Sequence, residues 1–129
     1  MATNVNSLSQ YAALSIFENG FDFLIDYRSR LMARSEMVFQ SVSQHLSNKI
    51  VNPQGGFFYF LNISQYVSDS NIFCAEMMDK TGVAMTPGIA FGEDWNQYVR
   101  LSFGVNEDQI KIGLDKFSNF LKTYGKTTD

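Results

Sequence analysis

Few side chains in this sequence have a type and a setting suited to chemistry. The most notable is Arg100, which lies between Val99 and Leu101 in the run "QYVRLSF". Alternate side chains of a strand face opposite ways. Val99, Leu101 and Phe103 would then share one face, and Tyr98, Arg100 and Ser102 the other. A guanidinium on that second face has two readings. It is one more polar group on a solvated sheet face, or it is an anion site, because guanidinium grips a carboxylate through two parallel hydrogen bonds. Pattern alone leaves both open.

The other candidates are weaker. His45 is the sole histidine, near a helix end and far in sequence from any paired acid or cysteine, so a surface or interface histidine is expected rather than a catalyst. Cys74, the sole cysteine, sits among Phe73, Met77 and Met78 and reads as a small buried hydrophobe. No Cys/His cluster has the spacing of a metal site. Glu93 and Asp94 are adjacent, and a turn accounts for them as well as chemistry does. "PQGGFF" lacks either phosphate-loop pattern, and its strand follows the glycines instead of preceding them.

The 129 residues are one domain in size, 45% hydrophobic and 18% charged, enough to bury a core. A net charge of −3 argues against nucleic acid as a partner, since phosphate binding needs clustered cations. The nearest approach to a basic patch, Arg28, Arg30 and Arg34, is spaced as a solvated helix face. No apolar run approaches a membrane span. The opening "MATNVNSLSQ" lacks the basic and apolar blocks of a signal peptide. One cysteine excludes an internal disulfide and fits a reducing cytoplasm. Twelve phenylalanines point to a dense core or to an apolar surface meant for a neighbour.

The elements that must position Arg100 follow from periodicity and punctuation. A first helix is expected over Ser7–Glu18, capped by Ser7 and ended by Asn19-Gly20. It is apolar on several sides and wants more than one neighbour. A second runs from about Phe23 to Ser47, carrying Leu31, Val38, Val42 and Leu46, with Lys49 near its end. Phe57–Ile63 reads as a central strand after the Pro53, Gly55 and Gly56 break. Asp69 or Ser70 caps a short helix with Phe73, Met77 and Met78, stopped by Gly82. Val83–Met85 is expected as a short strand, Thr86–Asn96 as a loop and Tyr98–Phe103 as a strand. The last helix has capping-box spacing at Asn106 and Gln109, Glu107 and Asp108 in its first turn, and Lys122 and Lys126 at its end. Its apolar stripe is Ile110, Leu114, Phe117 and Leu121. The order α-α-β-α-β-β-α is an α+β arrangement, helices over one small sheet.

The motifs "NPQGGFFYFLNIS" and "GVAMTPGIAFGEDWNQYVRLSF", followed by a capped terminal helix, resemble the C-terminal part of class I/II aminotransferases. These are pyridoxal-phosphate enzymes of the aspartate aminotransferase fold. "TNVNSLSQYAAL" is similar to the family's helix after the cofactor lysine, so the resemblance spans nearly the whole chain. It implies that Arg100 binds the α-carboxylate of an amino-acid or 2-oxo-acid substrate, aspartate among the candidates. It implies too that Pro87 and Gly88 shape the loop beside the site, and that Gly55 and Gly56 start the strand beneath it. The chain departs from the family pattern at "EDWNQY", where a glycine is usual shortly before the arginine strand.

The resemblance also implies groups that this sequence lacks. The cofactor lysine usually lies in an S-K motif, and none of Lys49, Lys80, Lys111, Lys116, Lys122 or Lys126 does. The expectation is therefore a C-terminal small domain whose large catalytic domain lies upstream. Residues 1–20 would be a helix meeting that domain, and residues 21–129 the small domain itself. Pyridoxal phosphate would belong to the parent enzyme, with no cofactor on this chain alone and no activity by itself. The isolated chain is expected to form a homodimer. The alternatives are a non-catalytic binding or assembly module of the same fold, or a truncated gene product.

Overall fold

A computed structural model describes residues 4–46 and 50–124. Ser47, Lys49 and Lys126, which entered the helix-end expectations, lie outside the described residues. The chain divides into two compact units, Met1–Arg30 and Leu31–Asp129.

The first unit holds α1 (Ser7–Asn19) and the opening turns of α2 (Phe23–Val42). Asn6, not Ser7, caps α1: its Oδ1 accepts from the Leu8 amide at 2.8 Å. The longer reach of the Asn amide places the cap one residue earlier, leaving Ser7 as the first helical residue. The α1 helix ends on Gly20, whose φ of 88° suits a residue without Cβ. No residue of α1 is buried, and Leu8, Tyr11, Leu14 and Phe17 are all exposed. Arg30 pairs with Asp26 one turn away.

The second unit contains the core. The α2 helix stops at Val42, short of the expected Ser47, because the ladder tightens: Gln44 N–H reaches Ser41 O and His45 N–H reaches Val42 O. Ser43 Oγ donates back to Gln40 O and helps close the end. Arg34 does not behave as a member of a solvated face, since its Nε is buried without a partner.

The strands are β1 (Phe58–Asn62), β2 (Thr86–Pro87) and β3 (Tyr98–Ser102), in the antiparallel order β1-β3-β2. The short strand thus falls at Thr86–Pro87 and not at the expected Val83–Met85. Val83 and Met85 instead pack partly buried against the core. A proline suits the edge of a sheet, where its missing N–H costs no ladder bond.

Two helices pack on the core face of the sheet. The α3 helix (Ser70–Thr81) is capped by Asp69, whose Oδ1 accepts from Asn71 and Ile72, and ends on Gly82 at φ 72°. The α4 helix (Glu107–Tyr124) begins where Asn106 Oδ1 accepts from Gln109 N–H at 2.9 Å. Its stripe of Ile110, Leu114, Phe117 and Leu121 is buried as expected, with Phe120 added. These side chains meet Val38, Val42, Tyr59, Leu61, Phe73, Met77, Val99 and Phe103 in one cluster. Each such side chain contributes about 1.5–3 kcal/mol by leaving water. The Tyr59 hydroxyl, brought into this core, shares its one proton between Ser35 O and Asn52 Oδ1, 3.1 and 2.9 Å away, and so ties β1 to α2.

Gly88 is the most closely packed glycine among the described residues. A Cβ there would overlap the Trp95 carbonyl oxygen and lie 2.5 Å from that of Tyr98. Gly113, inside α4, has open space around its Cβ position. Urea unfolding of two variants should therefore diverge. Gly88→Ala should lose about 3 kcal/mol or more through backbone displacement, whereas Gly113→Ala should gain about 0.4–1 kcal/mol.

Candidate functional site

The sheet has two faces of different character. Along β1, Tyr59 and Leu61 are buried while Phe58, Phe60 and Asn62 are half-exposed. The register sets Phe60 opposite Arg100 and Thr86 opposite Arg100 on the other side. Partners directly opposite share a face. Arg100 therefore stands at the centre of the outer face, away from Val99 and Phe103, as strand alternation requires.

Its surroundings are aromatic. The Arg100 Cζ lies 4.4 Å from the Phe58 ring centroid and 5.1 Å from that of Phe91. Phe60 stacks on Tyr98 at 5.0 Å and meets Phe91 and Trp95 edge-on. One guanidinium nitrogen, Nη2, donates to Thr86 Oγ1 at 3.3 Å. No ion pair forms between Arg100 and any carboxylate among the described residues: Glu76 pairs with Lys80, and Glu93 and Asp94 lie exposed in a turn. The arginine is thus half-buried, held by rings and one hydroxyl, and free to take an incoming anion.

The loop beside it is built from two short 3-10 turns, Gly88–Phe91 and Glu93–Trp95, hinged at Gly92 with φ 127°. Ser70, fully buried at the start of α3, fastens both. Its N–H donates to Asn96 O and Oδ1, its Oγ donates to Asn96 Oδ1 at 2.9 Å, and the Ile89 N–H donates to Ser70 Oγ at 3.2 Å. Pro87 belongs to β2 and Gly88 opens the first turn, so both sit where the loop leaves the sheet. Gly55 and Gly56 lie in the bend before β1, exposed, with Gly56 at φ 71°. The residues that sequence reasoning missed are Thr86, Phe58 and Phe91 around Arg100, together with Ser70 and Asn96. Strand alternation puts Phe58 and Phe60 on one face, but only the register brings that face to Arg100.

The remaining candidates lie apart from this cluster. His45 is half-buried in a polar cleft with Gln40, Asp115 and Lys122. Burial, and secondarily the Lys122 charge, hold its pKa below the ordinary value. Cys74 is buried in the core as expected, and burial pushes its thiol up to about 11, so it is a poor nucleophile. No group of three or more metal-ligating side chains comes together among the described residues. The described lysines, Lys80, Lys111, Lys116 and Lys122, all belong to α3 and α4, the helices on the other face of the sheet from Arg100. Among the described residues, then, none on the Arg100 face fits the role of a cofactor-bearing lysine.

Solved structures share this arrangement. An aspartate aminotransferase from Thermotoga maritima superposes with a TM-score of 0.77 at 28% identity, covering 92% of this chain and 29% of that one. A Methanococcus jannaschii protein, described as similar in its active site to kynurenine aminotransferases, gives 0.80 at 30% identity over 94% of this chain and 32% of its own. In sequence, an N-acetyl-LL-diaminopimelate aminotransferase of Bacillus subtilis is 35% identical over 117 residues, 90% of this chain. The chain has the sequence and fold of the C-terminal small domain of aspartate aminotransferase-like proteins. No family model matches it. The small domain spans only 29% of the length of that Bacillus relative. Aminotransferases of this kind use pyridoxal phosphate.

The clamp made by Ser70 generates a direct test. Ser70→Ala removes one buried hydroxyl, strands the Ile89 N–H and leaves Asn96 Oδ1 with the residue-70 N–H alone. Thermal or urea unfolding should show a loss of about 1–3 kcal/mol, with hydrogen exchange accelerated at Ile89 more than at Val99.

Proposed function

We propose that this small domain serves a pyridoxal-phosphate aminotransferase by supplying Arg100 as the anchor for the substrate's α-carboxylate. The single observation that carries the reading is a half-buried guanidinium with no carboxylate partner among the described residues, at the centre of the sheet's outer face and beside a braced loop. The parent would move an amino group from an amino acid, aspartate among the candidates, to a 2-oxo acid. The cofactor would supply the electron sink for that transfer. The chemistry of this chain would be binding and orientation: two charge-assisted hydrogen bonds fix the carboxylate, and the backbone turn from Pro87 to Gly88 sets the wall beside it. Gly55 and Gly56 would let the chain turn into β1 beneath the same face.

A chimaera tests this. The matching segment of the Bacillus subtilis relative is exchanged for this chain, and transamination is assayed. Arg100→Leu should lower kcat/KM for amino acids by about 100-fold or more, the loss expected for a desolvated charge pair, and should leave an amine without a carboxylate unaffected. An equal loss on both substrates would defeat the assignment. The chain by itself, mixed with pyridoxal phosphate and an amino acid, should show no turnover.

The partners follow from the first unit. We place the large catalytic domain against residues 1–20, with residues 21–129 as the small domain. Leu14 and Phe17 are exposed at 51% and 76%, and Ile16 is half-exposed. Burying apolar area is worth about 25 cal/mol per Å², so the isolated chain should pair with a second copy through α1 or exchange that helix. Light scattering should report twice the 14.6 kDa of one chain. Deleting residues 1–20 should return the monomer, and a monomer before deletion would defeat the pairing. A cytoplasmic location is supported by the lone, buried thiol of Cys74. No helix among the described residues is long and apolar enough to cross a membrane.

A further inference from the structure

We propose that Phe58 and Phe91 are positioning residues for the Arg100 guanidinium, ordering it for an incoming carboxylate without occupying its hydrogen-bonding edge. The inference rests on the reading of Arg100 as a carboxylate anchor. A long side chain frozen only at the moment of binding subtracts from affinity, so a good receptor is ordered beforehand. The usual way to order an arginine is a resident carboxylate, which would neutralise it and compete with the ligand. An aromatic ring attracts the cation through its face and carries no charge to compete. The N–H donors of a guanidinium lie in its own plane, and a ring, unlike a carboxylate, offers them no oxygen acceptor; the two centroids lie 4.4 and 5.1 Å from Cζ.

Each ring is brought to the guanidinium by a different element. Phe58 reaches Arg100 diagonally from β1, where it lies opposite Ser102. Phe91 ends the first 3-10 turn after Pro87, 47% exposed. Its edge-to-face contact with Phe60, 5.8 Å between centroids, fixes it in turn. The Thr86 hydroxyl takes one Nη2 hydrogen bond and sets the rotation of the group. Ring faces and one neutral acceptor therefore hold the guanidinium, leaving its charge unpaired by any acid among the described residues.

Side-chain NMR of the full chain tests this. The order parameter of the Arg100 Nε–H bond should be at least about 0.8 and should fall below about 0.6 in Phe58→Leu and in Phe91→Leu. Phe58→Tyr and Phe91→Tyr should restore it, with the backbone amide signals of β1 and β3 unchanged throughout. An arginine already mobile in the parental chain, or one equally ordered in both leucine variants, overturns the proposal. If Phe58→Leu fails to fold, Phe91→Leu decides, because its side chain lies in a surface turn. No substrate enters this readout. Failure of the carboxylate assignment, seen in the chimaera assay, is therefore distinguishable from failure of the positioning.

Discussion

The constraint on which the structure turns is the central place of β3. It is hydrogen-bonded on both edges, to β1 and to β2, so its register fixes theirs. Its alternation then distributes everything else. Val99 and, just beyond the strand, Phe103 face the helices and are buried, and their burial leaves no choice about where Arg100 points. A one-residue slip of this strand would bring a charge into the core and put valine on the outer face, an exchange the fold cannot absorb. The position of the arginine is therefore enforced by the hydrophobic core on the opposite side of the sheet, without any direct contact to it.

The two faces differ in how they are held. The core face is packed by aliphatic and aromatic side chains from α2, α3 and α4 with the buried Tyr59 hydroxyl satisfied by Ser35 and Asn52. The outer face is a layer of rings, Phe58, Phe60, Tyr98, Phe91 and Trp95, meeting mostly edge-on around one cation. Rings in such contacts gain about 0.5–1.5 kcal/mol beyond area burial, so a partly exposed face can still be well ordered. The phenylalanines divide: some of these rings build the core, as one reading of the composition expected, and others, in α1, α2 and the loop, stay exposed.

Much of this was legible in the sequence where local chemistry decides the outcome. The α4 stripe, its cap at Asn106 and the stops at Gly20 and Gly82 are each set by a few neighbouring residues, and the structure has them as read. The alternation around Arg100 was readable for the same reason. What was not readable depends on residues distant in the chain. Val83–Met85 looks like a strand by residue type, yet pairing with β3 falls on Thr86 and Pro87, and only the docked sheet reveals that. The end of α2 at Val42 depends on a tightened last turn that propensity does not announce. Ser70 appeared as a possible helix cap. Its buried hydroxyl instead grips Asn96 and Ile89, 26 and 19 residues away.

That grip has a consequence for how this segment can diverge. Between Gly88 and Asn96 the exposed positions Ala90, Glu93 and Asp94 meet few steric limits on residue identity. The spacing meets a strict one. Ile89 and Asn96 must both reach the single hydroxyl of Ser70, and the glycine backbone must pass directly beneath the carbonyls of Trp95 and Tyr98. An insertion or deletion anywhere in the segment would pull one of these points away from the other. Over evolutionary time the loop is therefore free to change several of its letters but not its length. Counting residues across this interval is a sharper guide to a shared site architecture than comparing them.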